Sequence, residues 1–212
     1  MRKATLVILS DIHGNKYNME ILADKLNCDY IMILGDITTF GTVSMAVEIL
    51  NIANSIANIA GYFVPGNCDP PDLFHVESVG KIHNVHGRCI EDTTLNACIY
   101  GIGGRYIGVD TYEKLLKNIT CSGFKIMMTH IPPYGTKVDK LFWGGHGGRE
   151  DIRGFMEKLK PKIVFSGHIH EARGIDKIDD TILLNPGPFE EGYYATCILS
   201  GEDIDLKLLR LY

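Results

Sequence analysis

The sequence predicts a layered α/β fold in a single domain spanning residues 1–212. Short apolar runs alternate with helical patterns over about the first 70 residues, which is typical of βα units built around a mostly parallel sheet. Several of these runs stop abruptly at acidic, histidine or asparagine side chains. From Ile182 onward, consecutive strand patterns replace the alternation, and residues 201–203 predict a hairpin turn.

The first half of the chain contains three predicted strands and two predicted helices. Apolar runs predict strands over residues 6–9, 30–34 and 62–64. Apolar residues at helical spacing predict a helix over residues 19–26 and a longer one over residues 43–59.

The second half continues this pattern after a segment, residues 72–96, whose periodicity is too weak to predict an element. Strands are expected over residues 98–100, 125–129, 163–165, 182–184, 194–199 and 204–208, and helices over residues 110–119 and 150–159. The second of these helices should end before Lys160, because the residue before a proline is sterically disfavoured in the helical conformation.

Composition and charge exclude some classes of partner. The chain is 45% hydrophobic and 22% charged, which is ordinary for a globular domain. Its net charge of −5 gives no basic footprint for a long nucleic acid, but it is compatible with a small phosphorylated substrate. No apolar stretch reaches the length of a signal-peptide core or a membrane span, so a cytoplasmic protein without a membrane partner is expected. The oligomeric state is not predicted.

The six cysteines are scattered without Cys-x-x-Cys spacing. Several lie in apolar surroundings, which favours reduced thiols in a cytosol over a disulfide framework. They are Cys28, Cys68, Cys89, Cys98, Cys121 and Cys197.

Five apolar runs end in side chains that bind metals. The residues are Asp11 and His13, Asp36, Asn67, His130, and finally His168 and His170. A single Asp-x-His or Gly-Asp is more often a turn or a cap than a ligand set. The last pair is more informative, because alternate residues of an extended chain face one side. Since ligands bind at the carboxyl ends of the strands in open α/β sheets, the whole set predicts one site.

The chemistry that suits this set is a two-metal centre. Seven oxygen and nitrogen ligands exceed what one divalent ion usually takes from side chains, and they suit two ions about 3.5–4 Å apart that share a carboxylate. Such a pair lowers the pKa of a bridging water to give hydroxide near neutral pH, and it binds phosphoryl oxygens. A set without thiolate suits Mn²⁺, our first choice, and also Fe, Ni²⁺ or Zn²⁺.

With these motifs the chain resembles the calcineurin-like metallophosphoesterase family. The matching motifs are Asp11-x-His13, Gly35-Asp36, Gly66-Asn67-x-Asp69, His130 and Gly167-His168-x-His170, in that order. They extend over residues 11–170, and the chain's length and its turn at residues 185–187 are similar to those of the family's small bacterial and archaeal phosphodiesterases. The resemblance implies a four-layer sandwich of two mixed β-sheets flanked by α-helices.

The resemblance also implies an arrangement of ligands and an activity. One metal falls to Asp11, His13 and His170, the other to Asn67, His130 and His168, and Asp36 bridges the two. The implied activity is dimetal-dependent hydrolysis of a small-molecule or nucleotide phosphodiester by a metal-bridging hydroxide. Asn67 then counts among the catalytic and substrate-binding residues as well.

The chain departs from the family pattern at Cys68, where many members have a histidine. In the family that histidine lies near the phosphate and is taken as the general acid for the leaving group. A thiol is a poor substitute, with an ordinary pKa of about 8.5 and weak hydrogen bonding. The change favours diesters or activated aryl esters over monoesters with poor leaving groups. Cys68 is a candidate catalytic residue by its position alone.

A glycine-rich loop before the helix at residues 150–159 is a weaker candidate. Gly147 and Gly148, beside His146, are predicted to direct backbone N–H groups at a substrate phosphate. The alternative is a lid without substrate contact. Phe142 and Trp143 in the same loop are more typical of packing residues than of stacking platforms.

Three histidines outside the motifs are not assigned to the site. His75, His83 and His86 are expected to be surface residues, because no predicted element brings them together.

Three alternative functions remain open within the same fold. A non-catalytic scaffold of the same fold should have lost metal ligands, whereas this chain retains them all. A nuclease would need basic or aromatic surface, and a monoester phosphatase remains an alternative within the family.

Overall fold

The computed structural model describes residues 3–105, 108–117, 121, 123–201 and 203–212, and its strands form two mixed sheets. The strands are β1 (Ala4–Leu9), β2 (Cys28–Ile33), β3 (Ala57–Phe63), β4 (Ser78–Val79), β5 (Ile82–Asn84), β6 (Cys89–Asp92), β7 (Ala97–Ile102), β8 (Phe124–Thr129), β9 (Ile163–Phe165), β10 (Gly174–Ile178), β11 (Thr181–Asn185), β12 (Tyr193–Ser200) and β13 (Asp203–Arg210). The α-helices are α1 (Lys16–Lys25), α2 (Val43–Ile56), α3 (Val109–Lys117) and α4 (Glu150–Leu159).

Each sheet has a parallel centre with antiparallel strands added at an edge. Among the described residues, the first sheet has the order β13-β12-β1-β2-β3-β5-β4 and the second has the order β10-β11-β9-β8-β7-β6. Strands β1, β2, β3 and β5 run parallel, as do β7, β8, β9 and β11. Parallel strands bring their carboxyl ends to one edge, so the loops that follow them can meet there.

The side chains of each central strand alternate between two cores. In β1, Leu6 and Ile8 pack between the two sheets, whereas Val7 and Leu9 pack under α1 and α2. The side chains of the second sheet alternate in the same way. In β8, Ile126 and Met128 pack against the first sheet, whereas Met127 packs with α4. The result is helix, sheet, sheet and helix in four layers, which confirms the predicted fold class.

Most of the predicted elements are present, and the differences have physical causes. The prediction of a helix over residues 43–59 is wrong at its end, because α2 stops at Ile56 and Ala57 pairs with Cys28 in a parallel ladder. The short strands β4, β5, β6 and β10 were not predicted, since strands of two to five residues leave little periodicity. The predicted end of α3 at Ile119 lies outside the described residues.

The expectation of reduced cysteines is corrected at one pair. Cys98 on β7 and Cys121 are joined in a disulfide, which ties Cys121 to the second sheet. Cys28, Cys68, Cys89 and Cys197 are free thiols. The two joined cysteines are 23 residues apart with no motif spacing, so the sequence carries no signal for their pairing. The cysteines therefore no longer support the expectation of a cytosolic protein.

Among the described residues, no helix is both long and apolar enough to cross a membrane.

Candidate metal centre

The candidate ligands lie where the parallel strands of both sheets end. Asp11 follows β1, Asp36 follows β2, and Asn67 follows β3, whereas His130 follows β8 and His168 follows β9. Backbone hydrogen bonds join neighbouring loops: Asp11 N–H donates to Gly35 O at 3.0 Å, and Gly167 N–H donates to His130 O at 3.0 Å. The two sheets therefore present their ligands to one shared edge.

Four of these residues adopt a backbone conformation that L-residues usually avoid. Asp11, His13, Asp36 and His168 have φ values of 54°, 50°, 47° and 68°. A non-glycine residue in this region costs about 1–2 kcal/mol, and such strain clusters at functional sites. The fold holds these side chains in orientations that a relaxed backbone would not give them.

Gly66 allows the loops to approach closely enough. A Cβ at this position would overlap Asp36, both at its backbone nitrogen and at its carboxylate. Only glycine lets the loop after β3 pass against the loop after β2, and this packing brings Asn67 next to Asp36.

Six of the seven predicted ligands fall into two groups, each with atoms within 4.8 Å of one another. The groups are Asp11, His13 and His170, and Asp36, His130 and His168. The seventh residue, Asn67, joins the second group, because its Oδ1 lies 2.9 Å from His130 Nε2. All of the predicted ligands are thus brought together.

Asp36 stands between the two groups. Its Oδ1 lies 3.5 Å from His130 Nε2, and its Oδ2 lies 3.9 Å from His13 Nε2. The Cys68 N–H donates to Asp36 Oδ1 at 2.8 Å, which fixes the carboxylate in this orientation. The Cys68 thiol also lies within 4.8 Å of ligand atoms of His13 and Asp36, so it is inside the centre and not only near it.

Acceptor atoms converge in the centre. His130 Nδ1 lies 2.7 Å from the Leu34 carbonyl oxygen, to which a protonated Nδ1 donates. The Nε2 atom of the same ring faces the oxygens of Asn67 and Asp36, at 2.9 and 3.5 Å. In addition, Asp11 Oδ1 is buried, and among the described residues it accepts no hydrogen bond of good geometry; His170 Nε2 lies 3.4 Å from it. Acceptor atoms that converge in this way are stabilised by cations, and nitrogen and oxygen donors suit divalent transition metals. The residues therefore fit the metals that the sequence predicts.

Outer contacts orient the histidine ligands. Thr39 Oγ1 lies 2.8 Å from His13 Nδ1, and Glu190 Oε1 lies 3.9 Å from His170 Nδ1. In metal sites such partners set the tautomer and the ring orientation. Sequence reasoning missed Thr39 and Glu190. Thr39 follows a ligand by three residues in a loop, and Glu190 lies on a short turn far along the chain.

A buried carboxylate, Asp69, fastens the loops that carry Asp36 and Asn67. Its oxygens accept hydrogen bonds from Gly66 N–H at 2.8 Å, Ile37 N–H at 3.1 Å and Thr38 N–H at 2.8 Å. The acidic residue of the Gly-Asn-x-Asp motif therefore acts as a brace and is not itself in either ligand group.

Burial and neighbouring charges shift the acid–base properties of several ligands. Burial by itself would raise the pKa of Asp11, but the neighbouring His170 and His130 outweigh it and lower this pKa to about 2. The close approach of Asp11 raises the pKa of His170. Burial, followed by the charge of His130, lowers the pKa of His168. These directions favour an ionised Asp11 and a neutral His168, which are the forms that bind metals.

Two weaker predictions are not supported as they were stated. The N–H groups of Gly147 and Gly148 donate to the backbone and side-chain oxygens of Asp139, at 2.8 and 3.2 Å, and are not free to bind a phosphate.

The expectation of a surface His86 is also corrected. Its ring is partly buried against Phe74, its Nδ1 accepts the Gly103 N–H, and burial lowers its pKa to about 4.

Comparison with known proteins places these observations in a wider context. Residues 4–172 match a family model described as calcineurin-like phosphoesterase. The chain is 31% identical over 209 residues to an uncharacterized protein of Methanocaldococcus jannaschii, covering 90% of this chain and 91% of that protein. It is 25% identical over 206 residues to a transmembrane protein with a metallophosphoesterase domain from Danio rerio. That match covers 85% of this chain but only 43% of the fish protein.

Solved structures share the fold at low sequence identity. A protein of Thermus thermophilus superimposes with a TM-score of 0.71 and 16% identity, covering 99% of each chain. A Streptococcus pneumoniae protein described as a predicted phosphoesterase gives a TM-score of 0.53 and 14% identity, covering 100% of this chain and 91% of that one. At such identities the likeness concerns the fold alone.

Proposed function

The chain belongs to the calcineurin-like phosphoesterase family, and on that premise we propose that it is a dimetal-dependent phosphodiesterase acting on a small phosphorylated molecule. The observation that carries the proposal is the position of Asp36, whose two carboxylate oxygens face the two groups of candidate ligands. A single residue shared in this way is what a pair of closely spaced ions requires.

The contacts support the ligand roles that we propose. Asp11, His13 and His170 would hold one ion, Asn67, His130 and His168 the other, and Asp36 would bridge them. Mn²⁺ is our first choice, with Fe, Ni²⁺ or Zn²⁺ also suited to this donor set. When bound, such ions supply an activated water and positive charge toward the phosphoryl oxygens.

The chain's own residues prepare the site for this chemistry. The Leu34 carbonyl and Thr39 hold the His130 and His13 rings in orientations that direct Nε2 inward. Asn67 lies at the rim, where its side-chain N–H donates to the Cys68 sulfur at 3.3 Å and its oxygen faces His130. This places a neutral amide beside the position where a phosphate would bind, and an amide tolerates the charge of a phosphoryl oxygen better than a carboxylate would.

The preference for a diester rests on Cys68. In the metal-free chain, burial, followed by the charge of Asp36, raises the pKa of this thiol to about 12. A thiol is also a weak hydrogen-bond donor, so it is a poor general acid for a leaving oxygen. A leaving group that departs without assistance from a general acid is favoured in such a site. Activated aryl diesters satisfy this requirement better than monoesters of aliphatic alcohols.

The direct test is hydrolysis of bis-p-nitrophenyl phosphate by the purified chain supplied in turn with Mn²⁺, Fe²⁺, Ni²⁺ and Zn²⁺. We expect turnover with at least one of these ions and a metal content of about two ions per chain. A protein that neither binds metal nor turns over this diester would be a scaffold instead, and the proposal would be wrong.

A substitution at Cys68, the residue that differs from the family pattern, tests the diester preference. Cys68→His should raise the ratio of phenyl phosphate to bis-p-nitrophenyl phosphate hydrolysis by about tenfold, because phenolate is a poor leaving group that an imidazole can protonate near neutral pH, whereas p-nitrophenolate leaves without a proton. Cys68→Ser is the matched control, since it removes the sulfur without adding a base, and its ratio should stay near that of the parent chain. An equal ratio in all three proteins would mean that residue 68 does not act on the leaving group.

A further inference from the structure

Phe40 lies in the loop after β2, next to the metal centre. It combines a strained backbone conformation with an exposed apolar side chain. Its φ is 52°, a region that aromatic residues rarely occupy, and its side chain is 81% exposed. Among the described residues it is the only Phe, Tyr or Trp with a positive φ. The position is fixed from both sides: Phe40 N–H donates to Cys68 O at 2.9 Å, and the preceding Thr39 contacts His13.

Two more exposed aromatic side chains lie on the loop that contacts the residue after His170. Phe142 is 89% exposed and Trp143 is 80% exposed, contrary to the expectation that they are packing residues. The Phe142 N–H donates to Glu171 Oε1 at 3.2 Å, and Glu171 follows the candidate ligand His170 directly. The backbone of Phe40 is therefore joined to Cys68 in the centre, and the backbone of the Phe142–Trp143 loop is joined to the residue next to His170. We call these three residues the aromatic rim.

Neither the packing nor the folding of the chain accounts for the rim. Large apolar side chains at this level of exposure gain little from burial, and at Phe40 the backbone strain adds to the cost. Strain that persists without a packing gain is typical of sites where a side chain is held ready for a ligand. Backbone contacts join both loops to residues in or next to the metal centre, so a ligand of these rings would be one whose phosphate is bound at the centre.

From these observations we propose that the aromatic rim binds a planar ring of the substrate, which makes a nucleoside phosphodiester the preferred substrate class. The proposal rests on the phosphodiesterase function proposed above. Flat ring faces bind bases by stacking without reading their sequence. The acidic side chains next to the centre, Glu171 and Glu190, oppose the alternative of an anionic membrane surface. A small diester avoids this repulsion, because its phosphate would be bound by the metals.

The test compares two substrates with the same leaving group. Thymidine 5′-p-nitrophenyl phosphate and ethyl p-nitrophenyl phosphate both release p-nitrophenol, and they differ only in the group that is retained. With the full Mn²⁺-loaded chain, we expect the KM for the thymidine ester to be about tenfold below that for the ethyl ester, which is within the range for stacking on an aromatic side chain. Phe40→Asn should remove most of this tenfold difference, and Trp143→Ser should reduce it.

The variants include their own controls. Asparagine tolerates a positive φ, so Phe40→Asn removes the ring without adding strain, and Phe40→Tyr should retain the difference because it keeps the ring. Ile59→Asn removes another exposed apolar side chain, at the opposite end of the first sheet on β3, and should leave both KM values unchanged. A thymidine-to-ethyl KM ratio that is the same in the parent, Phe40→Asn and Trp143→Ser proteins would overturn the proposal.

Two further outcomes separate this inference from the function on which it depends. If neither ester is hydrolysed, the proposed phosphodiesterase is wrong, and calorimetric binding of thymidine 5′-monophosphate and ethyl phosphate in the presence of Mn²⁺ still tests the rim by the same comparison. If Phe40→Asn instead abolishes binding to phosphatidylcholine vesicles while the KM ratio is unchanged, the rim faces a membrane and the nucleoside assignment is wrong.

Discussion

Replacing Asp36 by alanine should lower Mn²⁺-dependent hydrolysis of bis-p-nitrophenyl phosphate by at least about 10³-fold and should lower the bound metal to at most about one ion per chain. The two oxygens of this carboxylate face different ligand groups, at 3.5 Å from His130 Nε2 and 3.9 Å from His13 Nε2, so its loss affects both. A metal pair contributes several kcal/mol to transition-state stabilisation, and about 4 kcal/mol corresponds to a factor of about 10³ in rate. Steady-state kinetics and elemental analysis of the same preparation measure the two effects.

Two control variants test whether the loss of activity and metal in Asp36→Ala is due to the bridging position of this carboxylate. Asp24→Ala removes an exposed carboxylate on α1 and should leave the rate and the metal content unchanged. His168→Ala should also remove the activity, but it affects only the second group and should leave the metal at Asp11, His13 and His170 more tightly bound than Asp36→Ala does. Full activity or two retained ions in Asp36→Ala would show that the carboxylate does not bridge.

The site could be predicted from the sequence because it depends on residue identity at the ends of apolar runs. Asp11 and Asp36 each follow a buried strand, and the edge shared by parallel strands brings such residues together whatever the details of the loops. The resemblance to a family then supplied the order of the ligands and the second sheet. The same logic placed Asn67 next to His130 although 63 residues separate them.

The features that were missed depend on contacts between loops, which leave no periodic trace. The positive φ of Phe40, the Thr39 contact with His13 and the position of Glu190 are set by how three loops pack against one another. The disulfide joining Cys98 to Cys121 also depends on tertiary proximity alone. The error at the end of α2 has a similar origin, since pairing with β2 extends β3 back to Ala57. Local patterns do not record such competition between a helix and a neighbouring strand.

Asp69→Ala should lower the free energy of unfolding by about 3–5 kcal/mol and weaken Mn²⁺ binding by more than tenfold. This carboxylate is 2% exposed and accepts the backbone N–H groups of Gly66, Ile37 and Thr38. Alanine would leave these three donors buried without partners, and each unsatisfied donor costs about 1–3 kcal/mol. Urea unfolding of the metal-free protein measures the stability, and calorimetric titration measures the metal affinity.

The chain contains a matched control for this variant in Asp139, a second buried carboxylate that braces a loop. Asp139 accepts the backbone N–H groups of Gly135, Thr136 and Gly148, so Asp139→Ala leaves the same number of backbone donors, three, without partners. The two variants should therefore lose similar stability. The loops that Asp69 joins carry Asp36 and Asn67, whereas Asp139 is in neither ligand group, so only Asp69→Ala should weaken Mn²⁺ binding. Equal losses of metal affinity would mean that the affinity follows global stability, and that the brace does not position the ligands.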